Sequence, residues 1–101
     1  MYRVTIQYAV PQDPEAFDKH YDEVHVPLVR PVPGVQAFSL SRVRPLGGEQ
    51  TVYLVAQLDF ADRAAMKAGL SSPEMAAAAA DAEQFGVATT MFSGEVVDSL
   101  S

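Results

Sequence analysis

The chain has 101 residues, a formal net charge of −6 and no cysteine, and 49% of its residues are hydrophobic. This length fits one domain with one modest core, so we expect a single domain over residues 1–101. The lack of cysteine excludes disulfides and thiolate metal sites. The apolar content excludes intrinsic disorder, and 13 acidic against 7 basic residues argue against a nucleic-acid partner.

The distribution of charge also argues against a membrane partner. The longest stretches without a charged residue, 31–41 and 84–94, have 11 residues each, whereas a membrane-spanning helix needs about 20 apolar residues. The N-terminal residues alternate like a strand and lack the basic and apolar regions of a secretory signal. We therefore expect a cytoplasmic location.

The first predicted elements are a strand and a helix. Apolar residues alternate from Tyr2 to Val10, which is the period of a half-buried strand. Asp13 followed by Pro14 predicts the N-cap and the first residue of a helix. This helix is expected to reach about Val26 and to stop at Pro27, because proline disfavours its continuation. One apolar stripe runs along the helix and consists of Phe17, Tyr21, Val24 and Leu28.

The rest of the chain predicts three more strands and two more helices. Its elements are, in order, strands at 35–44 and 51–60, a short helix at 61–70, an alanine-rich helix from Ser72 to about Phe85, and a strand at 87–98. The resulting order β-α-β-β-α-β, with its second helical part split in two, predicts an α+β ferredoxin-like fold. Such a fold has a four-stranded antiparallel sheet with helices on one face.

The face of this sheet that the helices leave open is expected to be apolar. According to the register of the strands, it would carry residues drawn from Tyr53, Val55, Val87, Met91 and Phe92. A large apolar face is rarely left in water. We therefore expect a homodimer in which a second copy covers it.

Two histidines border the apolar stripe of the first helix. His20 and His25 are five residues apart, so they do not stack as an i, i+4 metal pair would, and no metal site is expected. His25 stands where the helix is expected to end, and the free carbonyls there would favour its protonated form. It could act as a general acid or base near neutral pH, or it could simply cap or pack the helix end.

Other catalytic motifs are missing from the sequence. It contains no G-x-G-x-x-G, G-x-x-x-x-G-K-[ST] or G-x-S-x-G motif, and no thiol nucleophile. Any catalysis is therefore expected to be proton transfer without a cofactor, or to draw its reactivity from the substrate.

A second candidate site is the sheet face that points away from the helices. If Val4, Ile6 and Tyr8 face the helices, then Gln7 faces the other way, and Tyr53 is expected beside it. Mixed aromatic and amide groups suit a small aromatic or carbonyl-bearing ligand. The same residues would equally suit a polar dimer interface.

The segment from Pro11 to Leu28 carries a family pattern: an acidic-Pro start, a central Phe, a Tyr, and a His-Val-Pro-Leu turn, with Pro-Gly following at 33–34. It resembles the EthD family, named for ethyl tert-butyl ether degradation, within the dimeric α/β-barrel superfamily. The resemblance implies a ferredoxin-like protomer, a dimer whose sheets face one another, and a cavity between sheet and helices. Superfamily relatives include cofactor-independent monooxygenases, decarboxylases, cyclases and lactone isomerases that act on aromatic or polyketide-like substrates.

On this chain the resemblance places His25 in the pocket as the acid–base residue, with Tyr21, one turn earlier, as its catalytic neighbour. Haem binding through His25 is disfavoured, because few of the seven Lys and Arg residues are placed to hold the propionates. The predicted ligand contacts are Phe17, Leu28, Gln7 and Tyr53.

Two functions stay open at this stage. The first is a cofactor-free monooxygenase, decarboxylase, cyclase or isomerase acting on a small hydrophobic or aromatic metabolite. The second is a non-catalytic ligand-binding or accessory protein in a degradation or biosynthesis pathway.

Overall fold

A computed structural model describes residues 1–98 of the chain. The strands and helices of this part begin and end within the predicted ranges, except for the first helix, which extends further. In order they are β1 (Tyr2–Ala9), α1 (Pro14–His20), a π-helical segment (Tyr21–His25), α2 (Val26–Val29), β2 (Ala37–Arg42), β3 (Val52–Phe60), α3 (Arg63–Leu70), α4 (Pro73–Ala82), a 3₁₀ turn (Glu83–Phe85) and β4 (Thr89–Glu95).

The four strands form one antiparallel sheet in the order β2-β3-β1-β4. Consecutive strands β2 and β3 pair directly as the predicted hairpin, while β1 lies between β3 and β4. The helices pack on one face of this sheet. This arrangement confirms the predicted ferredoxin-like fold.

The core lies between the sheet and the helices. Val4 and Tyr8 of β1 stand opposite Leu58 and Leu54 of β3, and each of the four is at most 2% exposed. Burying one such side chain contributes about 1.5–3 kcal/mol to stability. The helices complete this core with Val29, Met66 and Ala78.

The first helix does not stop at Pro27, contrary to the prediction. In a regular α-helix the ring of Pro27 would clash with the carbonyl four residues earlier, and its nitrogen could donate no hydrogen bond. The chain widens here into the π-helical segment, in which the N–H of Val26 donates to the carbonyl of Tyr21. This wider turn carries the helix past the proline to Val29.

A bulge in β3 places Tyr53 on the helix side of the sheet, which corrects the expectation that it lies beside Gln7. The register shifts by one residue after Tyr8, so that Ala9 pairs with Val52 and Tyr53 becomes the extra residue. The Tyr53 hydroxyl donates to the Asp18 carboxylate, with oxygen distances of 2.8 and 3.0 Å.

The open face of the sheet carries fewer apolar residues than the five candidates that the sequence offered for it. Val55 and Phe92 lie on it, because they stand opposite Gln7 and Thr5 of β1. Met91 stands opposite Ile6 and therefore lies on the helix side. Among residues 1–98, no helix is both long and apolar enough to cross a bilayer.

Gly69 brings α3 into close contact with the core. A Cβ at this position would lie 2.6 Å from Cε1 of Phe60 and 2.8 Å from the carbonyl oxygen of Pro33. The second of these contacts is with backbone, which cannot rotate away.

Gly69→Ala is expected to lower the free energy of unfolding by about 1–3 kcal/mol, because the added methyl group overpacks this contact. The better helix propensity of alanine offsets only part of this loss. Urea titration at one protein concentration measures the effect. Gly47→Ala is the control, because a Cβ there meets nothing within 4 Å and should change stability by less than about 0.5 kcal/mol. Equal effects of the two substitutions would contradict the argument.

Candidate functional site

A cavity of about 390 Å³ lies between the helix side of the sheet and α4. Its walls are mostly apolar: the sheet supplies Ile6, Ala56 and Leu58, and α4 supplies alanines. The small side chains of α4 leave this space open beside the sheet. Those that line the cavity are Ala78, Ala79 and Ala82.

Two tyrosines contribute polar groups to the cavity. Tyr8 of β1 and Tyr21 of the π-helical segment each have 2% exposure, and their ring centroids are 5.5 Å apart. Burial, together with the neighbouring Tyr8 hydroxyl, raises the pKa of Tyr21 far above its usual range. Burial likewise raises the pKa of Tyr8. Both phenols therefore stay protonated near neutral pH and can donate hydrogen bonds.

A buried carboxylate on α4 joins the two histidines of the first helix. Oδ2 of Asp81 lies 3.0 Å from Nδ1 of His25, and Oδ1 of Asp81 lies 2.8 Å from Nε2 of His20. Asp81 and His25 are 7% and 3% exposed. Since Asp81 is 56 residues from His25 in the sequence, no local pattern could pair them.

His25 is a neutral imidazole aimed at the cavity. Burial lowers its pKa below the ordinary value of 6.5, and the opposing effect of Asp81 does not make up the difference. Because the Asp81 carboxylate accepts from Nδ1, Nε2 is the nitrogen left for a ligand. The sequence had favoured a protonated His25 near free helix carbonyls. The helix instead continues into α2, so burial decides its charge.

Phe85 lines an outer cleft and packs against side chains that line the cavity. Its ring contacts His25 at a centroid distance of 4.9 Å and His20 at 5.7 Å, as well as Tyr8, Phe17 and Tyr21. The outer cleft has a volume of about 400 Å³ and is also lined by His20 and Phe17 among others. The chain turns after Phe85 at Gly86, whose φ of +67° is in the left-handed region.

The structure brings together only some of the predicted site residues. Tyr21 and His25 line the cavity, with their ring centroids 4.8 Å apart. Phe17 stacks on Tyr21 at 5.8 Å and lines the outer cleft. Leu28 packs against the core beside Val29 and Met66. Gln7 faces the open side of the sheet, and Tyr53 contacts Phe17 and Asp18 away from the cavity.

Three residues of the site were missed in the sequence. Tyr8 was placed on the helix side but read only as core. Asp81 is an acidic residue that directly follows the five alanines at 76–80, which is the signal that could have drawn attention to it. Phe85 was taken only as the end of that helix. In the part of the chain that the structure describes, no three His, Asp or Glu side chains converge as metal ligands.

Relatives of this chain support the family pattern noted in the sequence. A protein of Rhodococcus erythropolis, described as an uncharacterized 11.0 kDa protein in the thcB-thcC intergenic region, is 44% identical over 98 residues. That match covers 94% of this chain and 95% of the relative.

Two solved structures have the same fold. An ethyl tert-butyl ether degradation family protein of Bacillus halodurans superimposes with a TM-score of 0.88 at 30% identity, covering 94% of this chain and 97% of its own. SnoaB, a cofactor-independent oxygenase from Streptomyces nogalater, superimposes with a TM-score of 0.68 at 14% identity, covering 98% of this chain and 95% of its own.

A family model also matches the chain directly. Residues 10–87 match the EthD domain, a range that holds the π-helical segment, both histidines and Asp81. Together with the 44% identical relative, this match shows that the chain belongs to the EthD family.

Proposed function

We propose that the cavity binds a small, largely apolar or aromatic metabolite and that His25 transfers a proton to or from it without a cofactor. The observation that carries this proposal is a neutral imidazole, held by a buried carboxylate, at the wall of an apolar cavity. A volume of about 390 Å³ lies within the range of small-molecule sites, and apolar walls with few polar groups suit such a ligand.

The geometry supports a specific division of roles. Nε2 of His25 takes a proton from a C–H or O–H of the ligand, and the negative charge of Asp81 stabilises the imidazolium that forms. The hydroxyls of Tyr21 and Tyr8 donate to the oxygen on which negative charge develops. Proton transfer of this kind fits decarboxylation, cyclisation or isomerisation of an activated substrate. It fits oxygenation where molecular oxygen is the co-reactant that oxidises the carbanion formed by loss of the proton. The cofactor-independent oxygenase SnoaB has the same fold.

A second candidate is binding without chemistry, as an accessory protein of a degradation or biosynthesis pathway. The extent of the apolar wall favours it, because most of the contacts that this cavity offers are nonspecific. In that case the Tyr hydroxyls and His25 orient the ligand, which leaves chemically unchanged.

We further infer that the protein is a homodimer, and its expected cytoplasmic location stays a prediction. The open face of the sheet exposes Phe92 of β4 to 52%, and Val55 of β3 lies on the same face across β1. In a dimer with a two-fold axis, the same face of each copy contacts its counterpart. Packing this face against a second copy would therefore bury both residues.

Ligand binding is tested by partly filling the cavity. Ala79 lines it on an exposed stretch of α4, so Ala79→Leu adds three heavy atoms inside without disturbing the core. A thermal-shift screen of phenols, naphthols and polyketide fragments provides the probe ligand. Ala79→Leu should weaken its binding at least tenfold, while Ala80→Leu, which lies outside the lining, should not. An equal effect of both variants would place the ligand elsewhere.

Catalysis is tested at His25 once such a ligand is found to be converted. His25→Ala should lower kcat/KM by about 10²–10⁴-fold, which is the usual contribution of a general acid–base group. Because the pKa of His25 is lowered, the wild-type rate should be constant from pH 7 to 8 and fall only below about 6.5 as Nε2 becomes protonated. Mass spectrometry separates the two functions: an unaltered ligand supports the accessory role, and conversion that persists in His25→Ala removes His25 from the mechanism.

The dimer is tested by placing a charge on the open face of the sheet. Light scattering of the wild type at micromolar concentration should give about twice the protomer mass of 10.9 kDa. Phe92→Glu should give the protomer mass, because it would bury a carboxylate in the interface. Leu46→Glu is the control, since Leu46 is an exposed apolar residue in the β2–β3 loop. A wild type of protomer mass would exclude the dimer.

A further inference from the structure

The two histidines share one carboxylate but face different spaces. His25 lines the inner cavity, and His20, whose side chain is 36% exposed, lines the outer cleft. The ring of Phe85 contacts both imidazoles. Asp81 bonds to both of them, with one oxygen on each histidine. The role proposed for His25 involves the bond from Asp81 to His25 but gives no role to the bond from Asp81 to His20.

A shared carboxylate makes the two imidazoles compete for a proton. The negative charge of Asp81 stabilises a proton on either ring. Once His20 carries a proton, its positive charge at 2.8 Å from Oδ1 offsets part of the carboxylate's field at His25. Water screens Asp81 and His25 little, because they are 7% and 3% exposed, and it screens His20 more, because His20 lines the outer cleft.

We propose that His20 is a positioning residue that acts through Asp81 on His25, so that a proton bound at the outer cleft keeps the cavity imidazole neutral and available as a base. This inference rests on the proposed role of His25. In functional terms, His20 extends the working range of that base towards lower pH. By thermodynamic linkage, a proton on His25 must oppose protonation of His20 by the same factor.

The other ionisable groups near His20 and His25 are not expected to produce the same shift in the pKa of His25. Tyr8 and Tyr21 face His25 across the cavity, but burial keeps both phenols protonated. Glu83 also lines the cavity and is exposed, so water screens its charge. Asp13 lines the outer cleft with His20 and already accepts from the backbone of Ala16.

The experiment is an NMR titration of the histidine side chains in ligand-free protein from which any tag has been removed. The chain has two histidines, so a His20 variant leaves a single imidazole and needs no assignment. His20→Gln keeps an N–H that can reach Asp81 but never gains a charge. The pKa of His25 should therefore rise by about one unit, or about tenfold in proton affinity.

Lys19→Gln is the matched control. It removes a positive charge from the neighbouring residue, which is exposed and lies outside both cavities. A general field effect would shift the pKa of His25 equally in both variants, whereas coupling through Asp81 predicts a shift of less than about 0.3 units in Lys19→Gln. Equal shifts in the two variants, or no shift in His20→Gln, would overturn the proposal.

The wild type gives an independent reading if His20→Gln does not fold. In wild-type protein each imidazole should titrate in two steps that report the other's protonation, and two independent single-step curves would overturn the proposal. This titration involves neither a ligand nor turnover. If the cavity bound nothing, the proposed function would be wrong, but the titration would still test the coupling between the two histidines.

Discussion

The paired, buried carboxylate of Asp81 is the interaction on which the packing of the site and the environment of His25 depend. Removing a carboxylate from water costs several kcal/mol unless new partners replace its hydration. His20 and His25 supply those partners at 2.8 and 3.0 Å. Helix α4 therefore cannot move away from the first helix without leaving a buried charge unpaired. The two bonds thereby fix the spacing between the helices and so the width of the cavity.

The proline of the first helix has an indirect effect on this chemistry. A helix that stopped at Pro27 would leave free carbonyls next to His25, and those would stabilise its protonated form. The π-helical segment lets the chain pass Pro27 and continue to Val29, so the carbonyls of this region stay within the helix. His25 then lies inside a continuous helix, and burial determines that it is neutral.

The sequence predicted the fold well and the site only in part, for physical reasons. Strand alternation, the N-cap at Asp13 and the order of elements are local signals, and each was confirmed. The bulge that moves Tyr53 to the helix side depends on the register between two strands far apart in the chain. The bond from Asp81 to His25 spans 56 residues. Nothing local marks such a pairing, so the sequence predicted His25 but not its partner Asp81.

The protonation state of His25 limits which ligands this cavity could transform. A base whose conjugate acid has a pKa below 6.5 removes a proton from an ordinary phenol, with a pKa of about 10, at a cost of about 5 kcal/mol or more. Each further unit of ligand pKa adds about 1.4 kcal/mol. Donation from Tyr8 and Tyr21 to the developing anion offsets part of this cost, but it cannot offset the cost for an unactivated C–H. Acid–base chemistry in this cavity is therefore confined to ligands that already carry an acidic proton, such as phenols and carbons between two carbonyls, and any other apolar molecule of the same size would only bind.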